Sequence, residues 1–229
     1  RRCMATWVVT GANRGIGLEF AKQLLAEGHS VIAGVRSPES MKFSHEKMSI
    51  FQLDVSSTSS VYEFAENVKS MSQSIDILVN NAGRMDGRWQ SLEDVDPEVS
   101  LEVLNVNTIG PLRVSQVLWP LLQASNKGKI ANISSLMGSI DDCMSGRSYA
   151  YRTSKTGLNM ITKILAVEGK DHNITVTAYH PGWAKTDMGG ERAPVPVSVS
   201  VEGLIGLIDK QDIAQSGRFF EYTGDELPW

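Results

Sequence analysis

Tyr151 and Lys155 stand four residues apart in a segment with helical periodicity, so the spacing predicts that both side chains lie on one helix face. A free phenol has a pKa of about 10 and is a poor proton shuttle near neutrality. A neighbouring ammonium group stabilises the phenolate and so lowers that pKa. The pair is therefore predicted to move a proton to or from a substrate oxygen. Tyr149 lacks this feature, because four residues further on the chain has Thr153.

A serine pair, Ser134 and Ser135, ends a predicted strand before this helix. A hydroxyl there would hydrogen-bond the same oxygen and stabilise charge that develops on it, and the residues alone leave both serines open. The loop that follows contains Asp141 and Asp142, which are predicted to be solvated. The four histidines lack the spacing of metal ligands, so no catalytic metal is expected.

The segment TGANRGIG (10–17) lies between a predicted strand and a predicted helix. Gly11 permits a tight turn, and Gly15 and Gly17 let the backbone approach a phosphate and the helix approach the sheet. The start of the helix then presents free N–H groups to an anion. The segment is predicted to bind the pyrophosphate of a dinucleotide, with Asn13 and Ile16 of the same turn among the cofactor-binding residues.

Short apolar runs alternate with amphipathic segments along the whole chain. The predicted strands are 6–10, 30–35, 49–53, 76–80, 129–134, 174–179 and 217–222. The predicted helices are 15–27, 58–72, 97–124, 151–169 and 200–209, with weaker support near 38–46. This order predicts one doubly wound, Rossmann-type α/β domain over residues 1–229, with about seven parallel strands and helices on both faces. The Gly/Pro-rich segment 189–200 is predicted to be a surface loop that acts as a lid.

Composition excludes several classes of partner. The net charge is −4 over 229 residues, which gives no reason to expect binding to nucleic acid or to an anionic membrane. No apolar run reaches the length of about 18 residues that a membrane span needs. Two cysteines, Cys3 and Cys143, cannot form a disulfide framework, and the first residues lack a secretory signal. A cytoplasmic location is expected.

The motifs, taken in order, resemble the short-chain dehydrogenase/reductase family in its non-extended form. They are the G-x-x-x-G-x-G turn, NNAG at 80–83, Asn107 in NVNTIG, Ser135 in NISS, Tyr151-x-x-x-Lys155, and PGWAKTDMGG at 181–190. The stretches SSLMGSI, YAYRTSK and the ending SGRFFEYTGDELPW are most similar to the C-factor and sniffer-like carbonyl reductase branch. The resemblance covers nearly the whole chain.

This resemblance implies an oxidoreductase that transfers a hydride between a nicotinamide and a carbonyl or alcohol substrate. Tyr151 would be the acid/base, Ser135 rather than Ser134 would bind the substrate oxygen, and Lys155 would also bind the nicotinamide ribose. Asn107 would hold a water that links Lys155 to solvent. An alternative, motivated by the C-factor-like ending, is a dinucleotide-binding signalling or regulatory protein with little turnover. A hydrolytic role for Ser135 is disfavoured, because no G-x-S-x-G motif surrounds it.

The same resemblance assigns contacts along the rest of the cofactor. The expected cofactor-binding residues outside the glycine turn and the Tyr-Lys pair are Asp54, Val55, Asn81, Ala82, Gly83, Pro181, Gly182, Ala184 and Thr186. Asp54 would bond the adenine amino group, and the backbone of Ala184 would contact the carboxamide. Long helices such as 97–124 and 151–169 pair into a homodimer in many relatives, whereas carbonyl reductase relatives also occur as monomers.

The residues after the second strand favour NADP(H). An NAD site usually has a carboxylate at this point, but here the chain has Val35 followed by Arg36. Arg14 lies in the glycine turn, and two guanidinium groups suit a 2′-phosphate. NAD(H) stays the alternative because Glu39 is close by. The substrate is expected to be a small carbonyl compound in an apolar pocket, with Met85, Trp89, Met137, Trp183 and Met188 as candidate lining residues.

Overall fold

A single parallel β-sheet forms the centre of the molecule, in a computed structural model that describes residues 4–229. The seven strands lie in the order β3-β2-β1-β4-β5-β6-β7. Their bounds are β1 Thr6–Thr10, β2 Ser30–Val35, β3 Met48–Gln52, β4 Ile77–Asn80, β5 Lys129–Ile133, β6 Thr175–His180 and β7 Phe219–Glu221. Each lies within two residues of its predicted bounds. Cys3 falls outside the described residues, and Cys143 is an exposed free cysteine.

Helices cover both faces of this sheet. They are α1 Gly15–Ala26, α2 Thr58–Met71, α3 Pro97–Leu104, α4 Gly110–Gln123, α5 Tyr149–Gly169 and α6 Val197–Lys210. Alternate residues of β1 point to opposite faces, so Trp7 packs in the core under α1 and α6, whereas Val8 packs in the core under α2, α4 and α5. The doubly wound α/β fold is confirmed. No helix of residues 4–229 combines the length and the apolar character that a bilayer crossing requires.

The predicted helix 97–124 is not continuous. A five-residue π-helical turn, Asn105–Ile109, separates α3 from α4, and the Gly110 N–H donates to the Asn105 carbonyl five residues back. Pro111 follows directly and has no N–H to donate, which suits a place where the regular helical bonding has just been interrupted. The prediction was wrong here because one widened turn hardly disturbs a 3.6-residue apolar pattern.

Three other helical segments differ from prediction by two residues or more. Residues 38–46 contain only a short 3₁₀ turn, Pro38–Ser40. Helix α5 begins at Tyr149, two residues earlier than predicted, and α6 begins at Val197. The segment 189–200 is therefore not a loop throughout, because helix α6 takes up its end. In addition, Val195 of this segment forms a β-bridge with Ala184.

The carboxyl ends of the strands form one edge of the sheet, and the strand order reverses at β1, which has β2 on one side and β4 on the other. In open parallel sheets, ligands bind in the crevice at such a point. The glycine turn follows β1, Asn81 follows β4, the serine pair follows β5 and Pro181 follows β6. The fold therefore gathers at one edge the motifs that are far apart in the chain.

Candidate active site

A cleft of about 520 Å³ opens at this edge of the sheet. Most of the residues expected from the sequence line it: Gly11, Asn13, Arg14, Gly15, Ile16, Arg36, Asp54, Val55, Asn81, Ala82, Gly83, Tyr151, Lys155, Pro181 and Thr186. Five expected residues are not part of this lining: Gly17, Gly182, Ala184, Asn107 and Ser135. The cleft therefore joins the glycine turn to the Tyr-Lys pair in one continuous space.

The glycine turn is shaped by backbone contacts that exclude side chains. Gly11 has φ +67°, and a Cβ at this residue would lie 2.9 Å from Ala82 Cα. A Cβ on Gly17 would lie 2.3 Å from the Gly11 carbonyl oxygen. No side chain caps the start of α1, which leaves its N–H groups available to an anion. This closely packed backbone fits a dinucleotide pyrophosphate.

Thr10, which none of the sequence motifs singles out, fastens the glycine turn to the end of β4. Its hydroxyl oxygen accepts from the backbone N–H groups of Asn81 at 3.0 Å and Ala82 at 2.9 Å. The Asn81 side-chain amide donates to the carbonyl oxygens of Thr10 at 3.0 Å and Gly11 at 3.2 Å. These bonds keep Asn81 and Ala82 against the turn, so the two motifs act as one wall of the cleft.

Tyr151 and Lys155 are both buried and lie side by side on α5, as their spacing predicts. The Lys155 Nζ is 5.7 Å from the centre of the Tyr151 ring and donates to the Ile133 carbonyl oxygen at 2.8 Å. Burial lowers the pKa of Lys155 to about 8. Burial also raises the pKa of Tyr151 to about 12, against smaller lowering contributions from the Ser135 hydroxyl and the Arg88 charge. The expected lowering of the phenol pKa is therefore wrong for this structure, because desolvation of the phenolate outweighs the neighbouring groups.

The two serines after β5 have different partners. The Ser134 hydroxyl donates to the Asn159 Oδ1 at 2.6 Å, which directs it toward helix α5. The Ser135 Oγ accepts from the Met137 N–H at 3.1 Å, and the Ser135 side chain hydrogen-bonds Tyr151. Ser134 contributes to the wall of the cleft, but its hydroxyl is already engaged. The geometry thus favours Ser135 as the partner of a substrate oxygen.

Asn107 lies in the π-helical turn and is fully buried. Its Oδ1 accepts from the Arg84 N–H at 2.9 Å, and its Nδ2 donates to the Arg84 carbonyl at 2.9 Å and to the Ser154 Oγ at 3.0 Å. The side chain therefore joins the segment after β4 to helix α5, next to Lys155. Its expected role in holding a water stays a prediction.

The far end of the cleft carries a mixture of charges. The Asp54 Oδ1 accepts from the N–H and the hydroxyl of Ser56 at 2.9 and 2.6 Å, and these bonds, helped by the Arg36 charge, lower the pKa of Asp54. Arg14 forms an exposed ion pair with Asp187 at 3.2 Å. Arg36 lies in the same wall without an ion-pair partner among residues 4–229. Two guanidinium groups therefore reach this end of the cleft.

The turn after β6 is held by its own bonds. The Pro181 carbonyl accepts from the Ser200 hydroxyl at 2.6 Å, and the Ala184 N–H donates to the Gly182 carbonyl at 3.0 Å. Thr186 faces the cleft, and its Oγ1 accepts from the Gly189 N–H at 3.1 Å. Thr186 is thus the residue of this turn whose side chain reaches the space where a cofactor would lie.

Of the candidate substrate-pocket residues, Met188 lines the cleft. Several lining residues were not expected from the sequence: Leu53, Ser56, Arg84, Asp86, Val106, Ile133 and Asp187. Arg84 pairs with Asp86 and, at 3.0 Å, with Glu102. Its position directly after the NNAG motif was the available signal. The described part of the chain contains no group of three or more His, Cys, Asp or Glu side chains able to hold a metal.

The glycine turn, the Tyr-Lys pair and the strand order occur together in a known family. A family model described as short chain dehydrogenase matches residues 5–195. The chain belongs to this family of oxidoreductases. The C-signal of Myxococcus xanthus is 39% identical over 166 residues, which cover 72% of this chain and 98% of that protein.

Solved structures of carbonyl reductases share the fold over nearly the whole chain. The NADPH-bound carbonyl reductase from chicken fatty liver is 33% identical, with a TM-score of 0.91 over 99% of both chains. The carbonyl reductase Sniffer of Drosophila melanogaster is 31% identical, with a TM-score of 0.94 over 99% of this short-chain dehydrogenase and 100% of that chain. The resemblance that the motifs carry is thereby confirmed.

Proposed function

We propose that this short-chain dehydrogenase is an NADP(H)-dependent carbonyl reductase or alcohol dehydrogenase in which Tyr151 is the acid/base. The observation that carries the proposal is the buried Tyr151 and Lys155 pair, with the Ser135 hydroxyl beside it, in the cleft that also contains the glycine turn. A bound nicotinamide dinucleotide would supply or accept the hydride. The substrate would be a small carbonyl compound or the corresponding alcohol.

In the direction of reduction, Tyr151 donates its proton to the carbonyl oxygen. A pKa of about 12 keeps the phenol protonated across the neutral range, so the acid is present before the reaction begins. Ser135 hydrogen-bonds the same oxygen and stabilises its developing charge. Lys155, held by the Ile133 carbonyl, stabilises the phenolate that remains after proton transfer. Oxidation needs the phenolate first and is therefore favoured by rising pH.

The far end of the cleft supports NADP(H) over NAD(H). Arg14 and Arg36 reach this end, and Val35 stands where an NAD site usually has a carboxylate. A guanidinium group makes paired, charge-assisted bonds to phosphate oxygens. The carbonyl reductase from chicken fatty liver is described as NADPH-bound. Arg36, without an ion-pair partner in residues 4–229, is the stronger candidate for the 2′-phosphate.

Turnover of a panel of aldehydes, ketones and quinones with NADPH and NADH tests the proposal. We expect reduction of the carbonyl compounds with NADPH. We expect Tyr151→Phe to lower kcat at least about a thousandfold, because the variant has no hydroxyl to donate the proton and no phenolate for Lys155 to stabilise. Binding of NADPH to this variant, measured by fluorescence titration, should persist. Tyr149→Phe is the matched control, since Tyr149 is exposed and has Thr153 at the position of the lysine. Full activity of Tyr151→Phe would refute the acid/base assignment.

A second candidate is a dinucleotide-binding signalling or regulatory protein. The 39% identity with the C-signal of Myxococcus xanthus favours it. The same experiment separates the two functions: tight NADPH binding with no reduction of any carbonyl in the panel would support the regulatory function.

We also propose that the chain forms a homodimer through its long helices. Helices α3, α4 and α5 leave large apolar side chains exposed, namely Leu101, Leu112, Met160, Ile164 and Val167. Burying such side chains against a second copy is a common way to remove them from water. Light scattering measures the resulting mass.

A further inference from the structure

We propose that Arg88 binds an anionic group on the substrate, so that the preferred substrates are carbonyl compounds that carry a carboxylate. The inference rests on the proposed function and assigns it a substrate class. It depends on three features of the mouth of the cleft: a strained loop, the place of the Arg88 guanidinium, and the way the neighbouring charges are paired.

The loop that carries Arg88 is tied to the start of helix α5. Trp89, Arg147 and Ser148 have φ values of +66°, +77° and +54°, in the left-handed region that disfavours side chains. The Trp89 N–H donates to the Ser148 Oγ at 3.1 Å, and the Ser148 N–H donates to the Gln90 carbonyl at 3.2 Å. Residues in this region persist only where the surrounding structure over-determines them, often at functional sites. The two hydrogen bonds hold the loop against Ser148, three residues before Tyr151.

The Arg88 guanidinium lies between this loop and the turn after β6. Its Nη1 donates to the Met188 carbonyl at 3.4 Å, and its Cζ is 5.1 Å from the centre of the Trp89 ring. Met188 also lines the cleft together with Tyr151. The Arg88 charge reaches the catalytic phenol, since it contributes to lowering the Tyr151 pKa. An anion bound by Arg88 would thus lie beside Met188, in the wall of the cleft that also contains Tyr151.

Three acidic side chains in or next to the cleft lining already have ion-pair partners. Asp187 pairs with Arg14, whereas Asp86 and Glu102 pair with Arg84. Within residues 4–229, Arg88 forms no ion pair. Apart from the bond of Nη1 to the Met188 carbonyl, its donors are therefore available to an external carboxylate, whose two oxygens match the planar guanidinium fork.

Apolar groups beside Arg88 indicate the rest of the substrate. Trp89 and Met188 contact Arg88 and are 59% and 38% exposed. Trp183, whose Nε1 donates to the carbonyl of Gly189 directly after Met188, is 50% exposed. Flat indole rings and a flexible thioether suit an apolar or aromatic body. Together with the guanidinium, they favour an amphipathic molecule with its carbonyl at Tyr151 and its acidic group at Arg88.

Two aldehydes of similar shape, one with a carboxylate and one with its neutral methyl ester, test this inference. We expect kcat/KM with NADPH to be at least about tenfold higher for 4-carboxybenzaldehyde than for its methyl ester, because a charge-assisted hydrogen bond contributes about that much. Arg88→Gln should reduce this ratio to near one. Lys170→Gln, which removes a positive charge at the far, exposed end of α5, should keep the ratio. If the ratio of the two kcat/KM values is near one in the wild type, or if Arg88→Gln leaves the ratio unchanged, the inference is overturned.

A binding measurement separates failure of the inference from failure of the proposed function. Calorimetry on the NADPH-loaded protein compares 4-(hydroxymethyl)benzoate with the corresponding neutral amide. We expect the benzoate to bind at least about tenfold more tightly, and Arg88→Gln to remove the difference. If the benzoate binds more tightly in this way but no carbonyl compound is turned over, the anion site at Arg88 is supported and the proposed reductase activity is refuted. Equal binding of the two compounds would refute the anion site, whatever the turnover.

Discussion

The two halves of the cleft are built by different means. The dinucleotide half consists of backbone at glycines whose absent side chains would collide with other backbone atoms, as at Gly11 and Gly17. The substrate half consists of large exposed side chains on loops that contain strained non-glycine residues, such as Trp89 and Ser148. A surface shaped by the main chain suits the dinucleotide, because its pyrophosphate is common to all dinucleotides. A surface of side chains suits the substrate, because substrates vary. Substitutions that add atoms to these glycines of the dinucleotide half should therefore disrupt the protein. Substitutions in the substrate half should mainly change substrate specificity.

The largest effect is expected for Gly17→Ala. The new Cβ would lie 2.3 Å from the Gly11 carbonyl oxygen and 2.5 Å from the Asn81 Nδ2, and neither the backbone nor the amide, which bonds the Thr10 and Gly11 carbonyls, can yield easily. We expect a loss of about 3 kcal/mol in the free energy of unfolding, at the upper end of the range for overpacking. Urea titration measures this loss, and NADPH affinity should fall with it.

Gly206→Ala is the matched control, because a Cβ there meets no atom within 4 Å and the residue lies inside helix α6. This change should stabilise the protein by up to about 1 kcal/mol, since alanine is the better helix former. Equal stability of the two variants would show that the glycine turn is less tightly packed than the distances indicate.

Lys155→Met should stabilise the folded protein at neutral pH while removing turnover. The folded protein holds the Lys155 proton with a pKa of about 8, against a usual value of 10.5. The unfolded chain thus binds this proton more tightly, which penalises folding by about 3 kcal/mol below pH 8. Loss of the hydrogen bond to Ile133 offsets about 1 kcal/mol of the relief, so the net gain is about 2 kcal/mol at pH 7.

The sign of this gain changes with pH. Between pH 8 and 10.5 the unfolded chain binds more protons than the folded protein, so the wild type becomes more stable as pH rises. The advantage of Lys155→Met should therefore shrink through this window. Above pH 10.5 the variant should be less stable than the wild type by about 1 kcal/mol, the contribution of the lost hydrogen bond to Ile133. Tyr151, with a pKa of about 12, keeps its proton in the folded protein through this window, and loss of the lysine charge raises that pKa further, so Tyr151 contributes little to the difference. A pH-independent difference would mean that Lys155 is not desolvated.

The contrast between the halves also explains what could be predicted from the sequence. The G-x-x-x-G-x-G turn and the Tyr151-x-x-x-Lys155 spacing are local patterns, and the structure brings both to the same cleft. The raised pKa of Tyr151 follows from burial, which spacing does not express. The π-helical turn around Asn107 and the position of Arg88 depend on contacts between distant segments, so local periodicity did not indicate them.

The smallest effect is expected for Ser148→Ala, a positioning residue of the substrate half. The change removes the acceptor of the Trp89 N–H but leaves Tyr151 in place, so stability should fall by about 1 kcal/mol. A looser rim weakens substrate binding, and we expect KM to rise several-fold while kcat stays within about twofold. Ser145→Ala removes an exposed hydroxyl that bonds Arg152 and should change neither parameter. A fall in kcat without a change in KM would instead show that Ser148 helps to align Tyr151. Helix α5 would then not follow the division between a rigid dinucleotide half and an adaptable substrate half.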